Sequence, residues 1–221
     1  MNKYKVIILS LLISFMGASC EDWLYDNVNE DAAHEVLPQQ VLPVVLFYSA
    51  QLQFDHAEYG AYLTQTLTTG GRNQTSSFAY KSGWGDFLTM NRHPQWRRHF
   101  YDIGVNAKEI IDEAHEAQAW NLELIGRTLR LMSTQMTTDL FGDMPRSEAY
   151  ESNSPHYDTQ ESIYEWMNQE IEELIGMYED PTYTEAATNI PIDQSIDRVF
   201  AGDLNKWKHY TYALKARLLL R

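Results

Sequence analysis

Cysteine is nearly absent from this 221-residue sequence, and basic residues are scarce. The single cysteine excludes an intrachain disulfide, a Cys-based zinc site and a redox pair. The 17 lysines and arginines are outnumbered by 31 aspartates and glutamates, which gives a net charge of -14. Because nucleic-acid binding rests on clustered lysine and arginine that displace counterions, this balance argues against a nucleic-acid partner.

Apolar runs are short as well. The run at residues 6–15 is about half as long as the ~20 residues that a membrane-spanning helix needs. With 22% charged residues, 13% aromatics and a mean hydropathy of -0.44, the composition fits neither a disordered chain nor a multi-span membrane protein. The length suits one globular domain with a substantial core.

The amino terminus has the pattern of an export signal. Two lysines precede the apolar run, and small residues follow it directly before Cys20. This order predicts a lipoprotein signal peptide over residues 1–19, with Cys20 as the lipidation site. Two or more acyl chains on Cys20 would hold the mature protein on a membrane, since each buried methylene contributes ~0.8 kcal/mol. The alternative is an ordinary cleaved signal with an incidental cysteine.

The mature chain divides into a tether and a helical domain. Residues 20–36 are polar and without period, which predicts a flexible tether. In residues 37–221, apolar side chains recur three and four positions apart in five segments, which predicts five amphipathic helices. The predicted buried stripes are Val41, Val45, Tyr48 and Leu52; Trp96, Phe100, Ile103, Ala107, Ile110 and Ala114; Leu122, Ile125, Leu129, Met132, Met136 and Leu140; Ile163, Met167, Ile171, Leu174 and Tyr178; and Leu204, Trp207, Thr211, Leu214 and Leu218.

Local signals predict how these helices are connected and bounded. The short gap near residues 119–121 predicts a helical hairpin of the second and third helices. Asp158 and Glu161 have the spacing of a capping box, which predicts the start of the fourth helix at that point. The sequence stops at residues 218–221 within an apolar pattern and without a terminating Gly, Asn or Pro, so we expect the protein to continue and to cover that leucine face.

No motif of catalytic, metal or cofactor chemistry is found in the sequence. His115 and Glu116 would begin a zinc-protease motif, but Ala119 occupies the position of its second histidine. We expect the other histidines in surface or capping roles and the acidic run of the fourth helix on a solvated face. The residues concerned are His93, His99, His156 and His209, and Glu170, Glu172 and Glu173. The sequence therefore predicts no metal site and no cofactor.

One segment, residues 72–91, favours ligand binding. Its glycines, serines and large aromatics predict an exposed loop that carries rings. Tyr80 and Trp84, beside Arg72 and Asn73, would offer apolar faces with polar neighbours, a combination that suits sugars. These four residues are the predicted ligand-binding side chains. The alternative is that the rings fold back over the helical hairpin as a lid.

Five segments, in family order, resemble the SusD/RagB family of outer-membrane, substrate-binding lipoproteins of Bacteroidetes. They are residues 20–24 (CEDWL), 96–111 (WRRHFYDIGVNAKEII), 127–145 (RTLRLMSTQMTTDLFGDMP), 155–164 (PHYDTQESIY) and 197–221 (DRVFAGDLNKWKHYTYALKARLLLR). The last is similar to the signature GGD-x-x-K-W-x-x-x-A-x-x-L-x-L-R-x-x-x-R. It departs from it with Ala201 for the first glycine and Tyr212 where many members have Asn.

The resemblance implies an all-α fold of tetratricopeptide-like helix pairs with long connecting loops, truncated at the carboxy end, and a lipid anchor at Cys20 in the outer membrane that faces the cell exterior. It implies a binding protein and no enzyme, one that captures a glycan or another nutrient for a SusC-like TonB-dependent transporter. Ligand contacts in the family come from variable loops, so only Cys20 is carried over as a functional residue. The alternatives are a surface lipoprotein that acts only as a protein-interaction scaffold and a secreted hydrolase, which would lack a positioned nucleophile or acid/base pair.

Overall fold

The structure is a computed structural model that describes residues 37–64, 66 and 94–220. Its helices are α1 (Pro38–Leu63), α2 (Pro94–Arg97), a π-helix (Arg98–Val105), α3 (Asn106–Glu116), α4 (Trp120–Phe141), α5 (Gln160–Glu179), α6 (Pro181–Thr184) and α7 (Leu204–Leu219). Within these ranges there is no β-strand, and one antiparallel β-bridge joins Met144 to Asp158. The predicted all-α fold is confirmed. The predicted signal peptide, the tether and the loop at 72–91 lie outside the described residues.

The central element of the described domain is α4, which is buried along most of its length. It packs against α1, α3, α5 and α7, so apolar side chains around its whole circumference are covered. Its threonines satisfy their hydroxyls locally: Thr128, Thr134 and Thr137 each donate to the carbonyl four residues earlier, at 2.8, 2.9 and 2.8 Å. A helix with polar side chains can therefore fill the core without orphaned hydroxyl groups.

The five predicted stripes all lie in helices and face the core. Tyr48, Trp96, Phe100, Leu140 and Leu204 are partly buried, and the remaining stripe residues are buried. The second stripe runs without interruption through the π-helix, whose wider turn keeps Trp96 and Phe100 on the side of the core residues of α3. The predicted hairpin is also confirmed, since residues 117–119 join α3 to α4 and the two helices pack together.

The start of α5 differs from the prediction. Thr159 is the N-cap residue, and its hydroxyl accepts a hydrogen bond from the backbone N–H of Ser162 at 3.2 Å. Asp158 faces the preceding loop, where its carboxylate accepts from the backbone N–H groups of Arg146 and Ser147 at 2.8 and 2.9 Å. The reason is the β-bridge at Asp158, which holds this residue in the loop and leaves the cap to its neighbour.

The start of α7 is organised by a buried carboxylate, that of Asp197. It is fully buried and accepts four hydrogen bonds, from the backbone N–H groups of Val199, Phe200 and Gly202 and from Nε1 of Trp207, at 2.9, 3.1, 2.9 and 2.8 Å. Gly202 has a φ of 75°, and a Cβ there would overlap the carbonyl oxygen of Ile192. The segment that resembles the family signature is therefore a packed structural turn in front of the helix.

Candidate functional site

The site residues predicted from the sequence, Cys20, Arg72, Asn73, Tyr80 and Trp84, lie outside the described residues. Among the described residues, other polar and aromatic side chains surround a cavity of about 230 Å³. Arg130 enters it from α4, Trp166 from α5 and His99 from the π-helix, while Arg146 and Tyr150 come from the loop between α4 and α5. We call this space the arginine cavity.

Two guanidinium groups lie over one indole ring in the arginine cavity. The guanidinium carbon of Arg146 is 4.9 Å from the ring centroid of Trp166, and that of Arg130 is 5.9 Å from it. These are cation–π distances. No carboxylate of residues 37–64 or 94–220 forms an ion pair with either arginine. The Nε atom of Arg146 is buried without a hydrogen-bond partner.

Burial sets the protonation of the groups around these arginines. It lowers the pKa of Arg130, and the charge of Glu170 offsets part of that effect. It raises the pKa of Tyr150 to about 12, against the opposing charge of Arg130, so this phenol stays neutral in the physiological range. The Tyr150 hydroxyl is therefore a hydrogen-bond donor that faces a cationic cavity.

His99 is also neutral, and its position corrects a prediction. It was expected in a surface or capping role, but it is buried and its Nδ1 lies 2.8 Å from the hydroxyl of Ser133. Burial first, and then the charge of Arg130, lower its pKa to about 3. A Ser–His pair has the arrangement of a nucleophile and its base, but Ser133 is fully buried and so weak a base would not activate it.

A glycine makes room for one wall of the cavity. A Cβ on Gly104 of the π-helix would overlap the Tyr150 hydroxyl and would lie 2.5 Å from the carbonyl oxygen of His99. Only glycine allows the ring of Tyr150 to approach the π-helix this closely. The one weak signal of this contact in the sequence is a residue without a side chain inside an amphipathic pattern.

The rim of the arginine cavity is close to neutral. Lys108 and Asp112 pair with each other at 2.5 Å, and Glu151 is exposed. In total, three cationic and two acidic side chains line a cavity of a protein whose net charge is -14. The interior charge is therefore positive and comes from Arg130 and Arg146.

Arg127, a buried arginine of α4, has different surroundings from the half-buried Arg130. Arg127 contacts Glu170 at 2.8 Å, Glu123 at 3.3 Å and Glu173 at 2.9 Å. The prediction that Glu170 lies on a solvated face is wrong, because it is buried. Position 170 is three residues after Met167 and four before Leu174, so the helical period places it beside the buried stripe. Although burial lowers the pKa of Arg127, the hydrogen bonds and charges of Glu170 and Glu173 raise it above its ordinary value.

The remaining glutamates and histidines for which a position was predicted are exposed where the structure describes them. Glu172 and Glu173 are exposed, although each forms an ion pair, with Lys215 and Arg127 respectively. His156 and His209 are exposed as predicted, and His93 lies outside the described residues. No group of three or more His, Cys, Asp or Glu side chains in the described ranges could hold a metal ion. No helix in the same ranges is long and apolar enough to cross a bilayer.

Residues 40–221 match the SusD-like_2 family, which is described as "Starch-binding associating with outer membrane". The fold is similar to that of a SusD/RagB family protein from Bacteroides thetaiotaomicron VPI-5482, solved as a crystal structure at 1.75 Å resolution. The two share 22% identity with a TM-score of 0.62 over 83% of this chain, which shows a common fold. The match covers 38% of the length of that protein. No curated protein matches the chain.

Proposed function

This chain belongs to the SusD-like_2 family, and from that membership we propose that it is an outer-membrane protein that captures a glycan or another nutrient. The finer parts of the proposal are a lipid anchor on Cys20, a position on the cell exterior, and delivery of the ligand to a SusC-like TonB-dependent transporter. The observation that carries it is the family match over residues 40–221, which includes almost every described residue.

The described residues support binding in preference to catalysis. The arginine cavity offers hydrogen-bond donors, two cations and an aromatic ring, which recognise a ligand without reacting with it. Its histidine is neutral and is engaged with a buried serine. The helices that pack around α4 provide a rigid frame for these side chains.

Glycan capture is tested with the full chain by affinity electrophoresis in starch and by calorimetry with a panel of neutral and acidic glycans. We expect binding to at least one glycan, and a loss of at least tenfold in affinity for Trp84→Ala, because a ring that stacks on a sugar contributes a large part of such contacts. The matched control is Tyr101→Ala, since this ring is 73% exposed elsewhere on the surface. If the full-length protein binds no glycan, a protein-interaction scaffold is favoured instead.

The lipid anchor is tested by Cys20→Ala. Because the thiol is the only attachment point for acyl chains in the sequence, we expect the variant to leave the membrane fraction, and mass spectrometry to find the wild-type thiol acylated. Ser19→Ala keeps a small residue before the cysteine and should stay in the membrane fraction. Retention of Cys20→Ala with the membrane would count against lipidation. Copurification of the wild type with a large β-barrel protein would support the transporter partner.

A further inference from the structure

Arg130 and Arg146 present the main unexplained feature of the described domain. Buried charges in proteins are normally paired, because removing an ion from water costs several kcal/mol. Arg130 and Arg146 are half-buried, and neither forms an ion pair with a carboxylate among the described residues, although both lie over the ring of Trp166 in the same cavity. One turn earlier on α4, Arg127 has three carboxylates. The cavity thus holds two cations that form no ion pair among the described residues, and its carboxylates, Asp112 and Glu151, are exposed at the rim.

Apart from the carboxylates of Asp112 and Glu151 at the rim, the cavity offers mainly hydrogen-bond donors. The Nε of Arg146 is buried without an acceptor, and the Tyr150 hydroxyl has no partner among the described residues. Thr134 lines the cavity, but its hydroxyl already donates to the carbonyl of Arg130. A ligand that satisfies this set must bring several acceptor atoms and negative charge, and an oxyanion has both.

We propose that the arginine cavity binds the carboxylate or sulfate group of an acidic sugar. This inference rests on the proposed glycan-binding function and adds that one sugar unit of the ligand is negatively charged. The volume of about 230 Å³ lies below the ~300–1,000 Å³ of sites for drug-sized ligands, so it accepts one small unit while the rest of a glycan remains outside. Arg130 and Arg146 bind the acidic group, and Tyr150 donates to it.

The overall charge of the protein makes this proposal easy to test. A net charge of -14 repels anions in general, so a chain without a specific site would bind neutral sugars better than acidic ones. A preference for the acidic sugar must therefore come from a local arrangement of cations. Among the described residues the arginine cavity supplies one, since its remaining charges, Lys108, Asp112 and Glu151, lie at the rim.

The experiment compares three monosaccharides that share a ring and differ at C6: D-glucose, D-glucuronate and D-glucose 6-sulfate. Each is titrated into the full chain and followed by NMR chemical shifts at low salt. We expect at least one acidic sugar to bind at least tenfold more tightly than glucose, because charge-assisted hydrogen bonds to arginine are the strong ones. Tighter binding of glucuronate identifies a carboxylate site, and tighter binding of the sulfate ester identifies a sulfate site.

Substitutions in the arginine cavity test whether this cavity causes the preference for the acidic sugar over glucose. Arg130→Met and Arg146→Met should each remove it, and Tyr150→Phe, which keeps the ring and loses one donor, should weaken it several-fold. The matched control is Arg198→Met, because Arg198 is exposed and does not line the cavity. Circular dichroism shows whether each variant is folded. If an arginine variant does not fold, Tyr150→Phe still tests the cavity.

Three results would overturn the inference. Wild-type protein could bind glucose and both acidic sugars equally, the preference could survive in Arg130→Met and Arg146→Met, or inorganic sulfate alone could bind as tightly as glucose 6-sulfate, which would make the cavity an ion site. Each of these leaves glycan capture itself intact, provided that the full chain binds neutral glycans. Failure of the proposed function looks different, because then no neutral or acidic glycan binds at all.

Discussion

Arg127 and Arg130 lie three residues apart on α4, and their surroundings are opposite. Arg127 lies among Glu123, Glu170 and Glu173, and its pKa is raised by hydrogen bonds and charge that outweigh burial. Arg130 lies with Arg146 over the ring of Trp166 and has no ion-pair partner in the described part of the chain. Burial therefore lowers the pKa of Arg130. One helix thus carries an arginine that is paired with three carboxylates and an arginine that has no ion pair among the described residues.

This contrast separates a structural role from a binding role. A buried arginine with three carboxylates holds α4 to α5, since Glu170 and Glu173 belong to α5 and Glu123 to α4 itself. An arginine without an ion-pair partner among the described residues contributes little to the stability of the fold, and in our proposal it binds another molecule. Three substitutions test this contrast. They are described in order of decreasing expected effect on stability.

The largest effect is expected for Arg127→Met. Removing one partner of a buried ion pair leaves the others uncompensated, which costs about 3–5 kcal/mol of unfolding free energy. Glu123 and Glu170 would be buried without their cation. Urea unfolding of the full chain at pH 7 measures the loss.

The double variant Arg127→Met/Glu170→Met provides the control. It should be more stable than Arg127→Met, because it leaves no Glu170 carboxylate buried without its cation. A loss below about 1 kcal/mol for Arg127→Met would show that the carboxylates do not depend on this arginine.

An intermediate effect is expected for Gly104→Ala, which affects the wall of the arginine cavity. It leaves untouched the Arg127 cluster, which consists of Arg127, Glu123, Glu170 and Glu173. The added Cβ meets the Tyr150 hydroxyl and the His99 carbonyl oxygen, and such overpacking typically costs about 1–3 kcal/mol. Gly176→Ala is the matched control, since a Cβ there has no neighbour within 4 Å and alanine favours helix by about 0.5–1 kcal/mol. Equal unfolding midpoints for the two variants would mean that Tyr150 does not pack against the π-helix.

The elements of this fold could be predicted from the sequence because each of its longer helices is amphipathic with a regular period. Stripes such as Ile163 to Tyr178 follow from spacing alone, and the hairpin of α3 and α4 follows from a short connection. Buried partners could not be predicted in this way. Burial of His99 depends on Ser133, and the position of Asp158 depends on a bridge to Met144, both far away in the sequence.

The arginine cavity could not be predicted from the sequence either. Arg130 and Arg146 stand on either side of a helix end, and Trp166 follows in the next helix. No sequence spacing indicates that these three meet, because the long loop between α4 and α5 decides it. Glu170 could have been assigned to the interior by its period, whereas the lack of an ion pair for Arg130 among the described residues is a property of the packed structure alone.

The smallest effect on stability is expected for Arg130→Met, which is the direct counterpart of Arg127→Met. The variant loses a cation–π contact of about 0.5–1 kcal/mol and also loses a half-buried charge without an ion pair, and these two changes affect stability in opposite directions. We expect an unfolding free energy within about 1 kcal/mol of wild type in the same urea titration. A loss of 3 kcal/mol or more would mean that Arg130 has a counterion within the full chain, in which case the two arginines are equivalent structural charges. A near-zero change for Arg130→Met, together with a large loss for Arg127→Met, would show that the fold depends on one of these two arginines and not on the other.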